Sequence, residues 1–285
     1  SAAGRHAVPL PLGETMLAAW LLAQAGREAP SGPLTILPDL LPANAMAGGR
    51  LTCKALRVPW GSAAGQAVFI LKDGGAPRVG LVETAAARVV RGENLAREPR
   101  DDLGFDGIAA ETFSLPLPAE SLWRLGAMVR TAQMAGALGY LLSQSVRYVG
   151  ERVQFGRAIG RFQVIQHALA GLAGHVAASE AAAEAAFAAA DRASLGAGWD
   201  GEGAPTFEIA AAKVLVGEAG EAAPAIAHQI HGAIGFTYEH DLHFATRRLW
   251  AWRSEFGSES HWADFLGRRA FAAGPAGLWN LLTSR

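Results

Sequence analysis

"ERVQFGRAIGRFQVIQHALAGLAGHV", residues 151–176, contains the pattern that decides the fold. Apolar residues return every three or four positions, at Phe162, Ile165, Leu169, Leu172 and Val176. This spacing places all five side chains on one stripe of an α-helix, because a helix turns once in about 3.6 residues. A long helix with one apolar stripe needs a partner to cover it, so the stretch predicts a helical bundle.

The chain after "LPLP", residues 115–118, has the composition of further helices. Glycine and proline become rare, and alanine and leucine dominate most of the remaining sequence. Pro205 and Thr206 are typical of a helix start, since proline fits the first helical turn. We predict long helices at about residues 119–152, 161–194, 205–231 and 240–256, and a shorter helix near residues 258–273.

The preceding region has the pattern of a sheet. Short runs such as "LTIL", "QAVFILK" and "RVGLVET" are rich in Val, Ile, Leu and Phe and are separated by Gly, Pro, Asn and Asp. They predict a small antiparallel sheet or barrel, and "KDGGAP", residues 72–77, is typical of a hairpin turn. Before them, one helical segment at Glu14–Gly26 is too short for a domain. The predicted fold class is α+β and mainly α, with a short helical N-terminal segment (1–33), a β-domain (34–118) and a C-terminal four-helix bundle (119–285).

Composition excludes several classes of protein. A net charge of −1 over 285 residues gives no overall electrostatic reason to expect binding to nucleic acid or to a membrane. The longest uncharged stretches, such as residues 162–179, contain glutamine and histidine and are poor membrane spans. The single cysteine, Cys53, excludes an intrachain disulfide and fits a reducing, cytoplasmic compartment. The chain begins at Ser1 without an initiator methionine, which leaves a trimmed chain or a fragment open.

Four arginines surround the junction between the first two long helices: Arg147, Arg152, Arg157 and Arg161. Guanidinium groups grip phosphate with two hydrogen bonds, and the exposed N–H groups of a helix start also favour an anion. A solvated face is the commoner fate of such arginines. However, Phe155 and Phe162 are unusual in a purely solvated turn, and Gln154 and Gln163 offer the paired donor and acceptor that the edge of a heterocycle needs.

A second group of polar and aromatic residues lies in "QIHGAIGFTYEHDLHFATRRLWAWRSEFG", residues 229–257. Gly232 and Gly235 permit a close backbone approach after a helix, although helix ends often look like this. His240 and His243 stand three residues apart, but no further ligands are evident and we expect no metal site. The chain also has no GxxxxGK[ST], GxSxG or HExxH motif, and no strand-linked GxGxxG.

Together, "YVGERVQFGRAIGRFQVIQHALA" and "QIHGAIGFTYEHDLHFATRR" resemble the two most recognisable motifs of the acyl-CoA dehydrogenase family, in order and at the expected separation. The resemblance implies a central β-domain followed by a four-helix bundle, with FAD held between subunits. It also implies oxidation of an acyl-CoA thioester at its α and β carbons. In such proteins the arginine of the R-x-x-F-G motif, here Arg152, meets the FAD pyrophosphate.

The same resemblance implies roles for further residues. One group would lie along the cofactor, another would contact the adenine half of an FAD across the dimer interface, and one residue stands where the family often has a threonine close to FAD. Ala233 replaces a glycine that is usual in the family. The residues along the cofactor would be Gln154, Phe155 and Gln163, and those at the adenine half would be Gln229, Gly232 and Ala233. Ser258 stands at the threonine position.

The implied reaction requires a carboxylate base. A thioester α-proton is far from acidic at neutral pH, so a positioned carboxylate must take it while the β-hydride leaves for the flavin. The family usually places this residue in an E-G-T/S segment after the RR-containing helix, where this chain has Phe256, with Glu255 one residue earlier. Glu255 is a candidate for the base if the loop shifts by one residue, and Glu239 is another, since the resemblance implies that "GFTYEHD" lies near the flavin. The alternative for both is a structural ion pair with Arg247 or Arg248.

The chain departs from the family pattern in two other places. The residues before the β-domain number about 33, where the family has a helical domain of more than a hundred, and "ILPDLLPANAMAGGRLT" replaces a T-E-P-x-x-G-S-D segment. Reduced chains of this sort resemble heteromeric acyl-CoA dehydrogenases of steroid or cholesterol side-chain breakdown, in which two unlike subunits share one flavin site. We therefore expect a homo-oligomer or a heteromer with a second such subunit, and electron-transfer flavoprotein as a partner. The alternative is a non-catalytic subunit that completes its partner's flavin site.

Overall fold

The computed structural model describes residues 1–72, 76–193 and 204–283. The described chain divides into two compact units. A helical unit contains residues 1–8, 130–192 and 204–283, and a sheet unit contains residues 9–72, 76–129 and 193. The predicted boundaries at residues 33 and 118 stay a prediction, and the turn predicted at 72–77 falls largely outside the described residues.

The predicted long helices are confirmed. Their bounds are α3 (Ser121–Glu151), α4 (Gln163–Arg192), α5 (Ala204–His231), α6 (Leu242–Trp252) and α7 (Glu259–Thr283), after two short N-terminal helices, α1 (Ala2–Arg5) and α2 (Leu12–Gln24). The last helix is longer than predicted and is kinked at Gly274, which has φ +64° and precedes Pro275. The kink has a local cause, since proline cannot continue the hydrogen-bond ladder of a helix.

The core of the helical unit lies between α3, α4, α5 and α6. Leu172 and Val176 of the predicted stripe are buried in it, whereas Phe162, Ile165 and Leu169 are only half-buried. The stripe is therefore covered in its second half and partly open in the first turns of α4. The residues that cover it include Met134, Leu138 and Leu141 of α3, Val216, Ala219 and Ala223 of α5, and Leu242, Leu249 and Trp252 of α6.

The sheet is largely antiparallel, as predicted, but it also contains parallel pairings that were not predicted. The two earliest strands pair parallel with the strand at Gln66–Lys72. The local pattern of the sequence could not indicate this, because parallel partners are joined by a long crossover rather than a tight turn. The strands are β1 (Leu34–Ile36), β2 (Leu41–Pro42), β3 (Met46–Ala47), β4 (Arg50–Pro59), β5 (Gln66–Lys72), β6 (Arg78–Glu83), β7 (Arg88–Val90) and β8 (Arg100–Ser114).

The order of this sheet is β1-β5-β6-β8-β4-β3, with β2 beside β5 and β7 beside β8. Its buried face is lined by aliphatic and aromatic side chains that include Leu51, Phe69 and Leu103. Helix α2 packs on the same unit, where the Thr15 hydroxyl donates to the Leu34 carbonyl and accepts from the Leu34 N–H, each at 3.1 Å. In the described part of the chain, no helix has the length and apolar character needed to cross a membrane.

Candidate functional site

The junction between α3 and α4 is a two-residue β-hairpin. Strand β9 (Val153–Gln154) pairs with β10 (Arg157–Ala158), and the two residues between them, Phe155 and Gly156, have φ of +52° and +78°. Positive φ at both central residues is the geometry of the tightest hairpin turns. It leaves the Phe155 side chain 92% exposed, with its ring 6.1 Å from that of Phe162 in an edge-to-face contact.

We call residues 147–161 the arginine segment. Its four arginines are exposed, and none of them has a carboxylate within 4.0 Å among the described residues. Arg147 donates to the side-chain oxygen of Gln144, and the Arg157 guanidinium lies 4.2 Å above the Phe162 ring. The segment therefore has a net positive charge, with four arginines that make no ion pair among the described residues and one exposed carboxylate, Glu151, which is favourable for a phosphate.

We call residues 229–236 the glycine turn. Helix α5 ends at His231, and the chain continues as a 3₁₀ turn over Gly232–Phe236. Gly232 has φ +65° and open space where a Cβ would point, whereas a Cβ on Gly235 would come within 2.9 Å of the His231 Cβ. One glycine is thus required by the backbone conformation and the other by close packing. Gln229 and Ala233 are exposed beside them.

Tyr148 of α3 joins the arginine segment to the glycine turn. Its hydroxyl donates to the His231 carbonyl at 3.2 Å, and its ring stacks on the His231 imidazole with centroids 4.5 Å apart. Arg152 lies one helical turn further along, and its N–H donates to the Tyr148 carbonyl at 2.8 Å. The two motifs singled out in the sequence therefore meet in the helical unit, although 83 residues separate Tyr148 from His231.

Two buried imidazoles support the glycine turn. His228 stacks on Phe236 with centroids 4.4 Å apart, and burial lowers the pKa of His228 below its ordinary value. The His231 ring bonds to the Ala227 carbonyl through Nδ1 at 2.7 Å, and its pKa is also lowered, chiefly by burial. Both rings are thus favoured in the neutral form, which suits stacking against apolar and aromatic groups.

The histidine pair considered for a metal has local roles. His240 Nδ1 accepts a hydrogen bond from the Leu242 N–H at 3.1 Å, and His243 Nδ1 lies 2.8 Å from the His240 carbonyl. Across the described ranges, no three His, Cys, Asp or Glu residues are grouped so that they could hold a metal ion.

The two candidate bases have different environments. Glu255 is largely buried, and its carboxylate accepts a hydrogen bond of 2.6 Å from Arg130 Nε. The Arg130 side chain is only 2% exposed, so this is an interior ion pair. Glu239 is exposed and follows the glycine turn in sequence. Of the two arginines considered as their partners, Arg247 donates to the Tyr238 hydroxyl at 3.0 Å.

Lys213 is hydrogen-bonded to the turn between α6 and α7, residues 253–258. This side chain is buried, and its ammonium group donates to the carbonyls of Arg253 and Gly257 at 2.6 and 2.7 Å. Burial lowers the pKa of Lys213 to about 8, against the opposing influence of Glu259 and Glu255. We call residues 253–258, together with Arg130 and Lys213, the clamped turn.

Two more predicted site residues lie at helix starts. Ser258 is in the clamped turn, where its hydroxyl is 2.8 Å from that of Ser260 and accepts from the His261 N–H at 3.4 Å, so it caps the start of α7. Gln163 is exposed as the first residue of α4, directly after the arginine segment. The cofactor residues predicted from the two motifs are thus exposed around the arginine segment and the glycine turn, whereas Ser258 and Glu255 belong to the clamped turn.

Comparison with known proteins identifies the family. The profile described as "Acyl-CoA dehydrogenase, C-terminal domain" matches residues 121–270, which is more than half of the 285 residues. The chain belongs to the acyl-CoA dehydrogenase family. The match covers both motifs and all of α3, α4, α5 and α6, so the resemblance read from those motifs is confirmed.

Two curated acyl-CoA dehydrogenases of Mycobacterium tuberculosis are similar to this chain. IpdE2 is 35% identical over 123 residues, which is 43% of this chain and 34% of IpdE2. FadE34 is 31% identical over an alignment of 194 residues that covers 62% of this chain and 26% of FadE34. The matched part of the chain therefore spans about a third or less of the length of each relative.

Solved structures of acyl-CoA dehydrogenases share the fold. The ChsE4-ChsE5 complex from Mycobacterium tuberculosis superposes with a TM-score of 0.79 and 21% identity, over 96% of this chain and 79% of the matched chain. At this identity the similarity shows the fold alone. The architecture expected from the acyl-CoA dehydrogenase motifs, a β-domain followed by a helical bundle, is confirmed.

Two residues that organise the site, Arg130 and Lys213, could not be found from the sequence, and a third, Tyr148, was passed over. Arg130 stands among the apolar residues of α3, and its partner Glu255 lies 125 residues away. Lys213 lies in an alanine-rich stretch of α5 where a solvent-exposed lysine is the ordinary expectation. Tyr148 could have been noticed, because it precedes Arg152 by four residues and so lies on the same face of α3.

Proposed function

We propose that this chain is a subunit of an FAD-dependent dehydrogenase that introduces a double bond between the α and β carbons of an acyl-CoA thioester. The observation that carries the proposal is the meeting of the arginine segment with the glycine turn through Tyr148. Family membership supports the reaction class. The fold shared with the solved Tcur3481-Tcur3483 steroid ACAD supports a bulky acyl group, in lipid or steroid catabolism.

The residues of this site fit a dinucleotide such as FAD. A diphosphate carries two negative charges in a short span, and four exposed arginines without a carboxylate partner among the described residues offer matching donors. The open space beside Gly232 lets a ligand approach the backbone, and the Gln229 amide can donate to and accept from an adenine edge. Arg152 would hold the diphosphate, and Gln229, Gly232 and Ala233 would hold the adenine half.

Other exposed residues would complete the contacts with the cofactor. Gln154 and Phe155 lie on the hairpin of the arginine segment and Gln163 is the first residue of α4, and we propose that all three lie along the cofactor. Ser258, at the start of α7, is proposed to lie close to its flavin end. Bound FAD would supply the acceptor for the hydride that leaves the β-carbon.

The chain's own part in the reaction is removal of the α-proton by a carboxylate. Glu239 is exposed and lies three residues after the glycine turn, where it could face a substrate. Glu255 already accepts a 2.6 Å hydrogen bond from Arg130, and it would have to share that bond to take a proton. We therefore propose Glu239 first and Glu255 second as the base.

A second function is favoured by one observation in the clamped turn. Phe256 occupies the position where the family usually has its carboxylate, is 7% exposed and has φ +54°. A buried aromatic ring cannot take a proton. This supports a non-catalytic subunit that completes the flavin site of an unlike partner, and the fold shared with the ChsE4-ChsE5 complex is compatible with such an assembly.

The first experiment is an absorbance spectrum of the purified protein, alone and after co-expression with an acyl-CoA dehydrogenase subunit encoded beside it. The proposal predicts a flavin spectrum in at least one preparation. Protein that is colourless in both, and that gains no flavin on incubation with FAD, would rule the proposal out.

A second experiment separates the two functions. The flavin-loaded assembly is assayed with a bulky acyl-CoA and a dye acceptor after Glu239→Gln or Glu255→Gln, with Glu184→Gln on the exposed face of α4 as the control. Loss of turnover in Glu239→Gln with flavin retained identifies Glu239 as the base, and the same result in Glu255→Gln identifies Glu255 if the melting temperature is also retained, because Glu255 is paired with Arg130. Unchanged turnover in both assigns the base to the partner subunit.

A further inference from the structure

Tyr148 lies inside the arginine segment, and its side chain contacts the glycine turn. Its carbonyl accepts from the Arg152 N–H at 2.8 Å, at the last turn of α3, and its hydroxyl donates to the His231 carbonyl at 3.2 Å, at the last turn of α5. The backbone hydrogen bond is that of an ordinary helix and places Arg152 one turn after Tyr148, whereas the Tyr148 side chain links the arginine segment to the glycine turn.

The hydroxyl bond acts where the α5 backbone changes course. Carbonyls in the last turn of a helix lack intrahelical donors, so a donor from outside stabilises the helix end. His231 is the last residue of α5, and Gly232 directly after it adopts φ +65°. The Tyr148 hydroxyl therefore helps to fix the point at which the glycine turn begins.

The aromatic stack holds the same junction from the side. The Tyr148 and His231 rings are 4.5 Å apart and inclined by only 23°, and the His231 ring is itself fixed by its 2.7 Å bond to the Ala227 carbonyl. The His240 ring makes edge-to-face contacts with both partners, with its centroid 4.7 Å from that of His231 and 6.2 Å from that of Tyr148. The stack leaves His231 little freedom, so the distance from Tyr148 to the glycine turn is set by packing as well as by a hydrogen bond.

We propose that Tyr148 is a positioning residue that fixes the arginine segment and the glycine turn at the spacing of one ligand that spans both, an adenine nucleotide with a diphosphate. This rests on the proposed function and adds a residue that does not itself touch the ligand. Preorganised contacts raise affinity because the ligand does not have to order them on binding. We call the contacts of the Tyr148 side chain with His231 the tether. The tether should change the affinity only of a ligand that reaches both segments.

The test uses Tyr148→Phe, which removes the hydroxyl and keeps the ring, and Tyr148→Leu, which removes both. Tyr140→Phe is the matched control, because Tyr140 lies two helical turns earlier on α3 and is partly buried. Each protein is titrated calorimetrically, in its full assembly and free of flavin, with FAD, ADP and inorganic pyrophosphate. Pyrophosphate can engage the arginine segment alone, whereas ADP and FAD can engage both segments.

Tyr148→Phe is expected to weaken ADP and FAD about three- to tenfold, the value of one neutral hydrogen bond, and to leave pyrophosphate within twofold. Tyr148→Leu is expected to weaken ADP and FAD more, and Tyr140→Phe to weaken none of the three. Equal weakening of pyrophosphate and ADP, or no change in ADP, would overturn the inference.

Amide hydrogen exchange tests the tether without any ligand. In flavin-free protein, peptides that cover residues 229–241 should exchange faster in Tyr148→Phe than in the wild type or in Tyr140→Phe. Equal exchange in all three would refute the tether even if nucleotides bind. Wild-type protein that binds none of the three ligands would instead refute the proposed function, so the two failures are distinguishable.

Discussion

The clamped turn and the arginine segment both join helices of the same unit, yet they use their cations in opposite ways. In the clamped turn, Arg130 bonds to Glu255, Lys213 bonds to two carbonyls, and Arg253 bonds to Glu221 at 2.9 Å and to Glu259. In the arginine segment, four exposed arginines have no carboxylate within 4.0 Å among the described residues. Cations whose charge is satisfied inside the protein hold the fold, and cations left unneutralised are available to an anionic ligand.

Substitutions in the clamped turn should lower the free energy of unfolding more than substitutions in the arginine segment. Arg130→Met removes one partner of an interior ion pair and leaves the Glu255 carboxylate without its 2.6 Å donor. We expect the free energy of unfolding to fall by about 3–5 kcal/mol, measured by urea denaturation. Arg268→Met is the control, because its pair with Asp264 is exposed and should contribute about 1 kcal/mol or less.

If the Arg130→Met and Arg268→Met variants lost the same stability, the contrast between an interior clamp and an ordinary surface pair would be wrong. The double variant Arg130→Met with Glu255→Met should recover part of the loss, since it removes both buried charges.

Lys213 predicts a pH dependence of the clamped turn. Its folded pKa of about 8 is below the ordinary value of 10.5, so the unfolded chain binds more protons between these two pH values. Stability contributed by Lys213 should therefore rise as pH increases from about 8 to 10.5 and be lost as pH falls back through 8. The difference in unfolding free energy between wild type and Lys213→Met should grow over that window by an amount on the order of 3 kcal/mol. A constant difference would place the Lys213 ammonium in water rather than in the interior.

The glycine turn should tolerate less backbone change than its exposure suggests. Gly232→Ala meets no atom within 4 Å, but it forces a side chain onto a backbone with φ +65°. We expect a loss of about 1–2 kcal/mol in thermal or urea unfolding, from backbone strain alone. Gly171→Ala, in the exposed middle of α4 with equally open space, should instead stabilise the protein by about 0.5–1 kcal/mol. If Gly232→Ala and Gly171→Ala changed the free energy of unfolding in the same direction, the positive φ of Gly232 would be contradicted.

The parts of the fold that follow local periodicity could be predicted from the sequence. The three-and-four spacing from Phe162 to Val176 gave α4, and Pro205 marked the start of α5 within one residue. The parallel pairing of Leu34–Ile36 with Gln66–Val68 could not be predicted, because nothing local records which distant strand will lie alongside.

The candidate site divides in the same way. The residues that face outward, such as Arg152 and Gly232, stand in motifs and were found from their order along the chain. The residues that hold those motifs in place, Tyr148 and Lys213, act through contacts across 83 and 40–44 residues. Such contacts follow from how the helices pack, which a single sequence does not specify.

The most direct test of this account is the FAD dissociation constant of the flavin-free protein, in its full assembly, before and after Arg152→Met. Arg152 is exposed, so the melting temperature without flavin should stay nearly unchanged, whereas the loss of a charged hydrogen-bond donor should weaken FAD about tenfold or more. Arg192→Met, at the exposed end of α4, should change neither value. Equal FAD affinity in wild type and Arg152→Met would contradict the claim that the unneutralised arginines of this segment exist to hold a diphosphate.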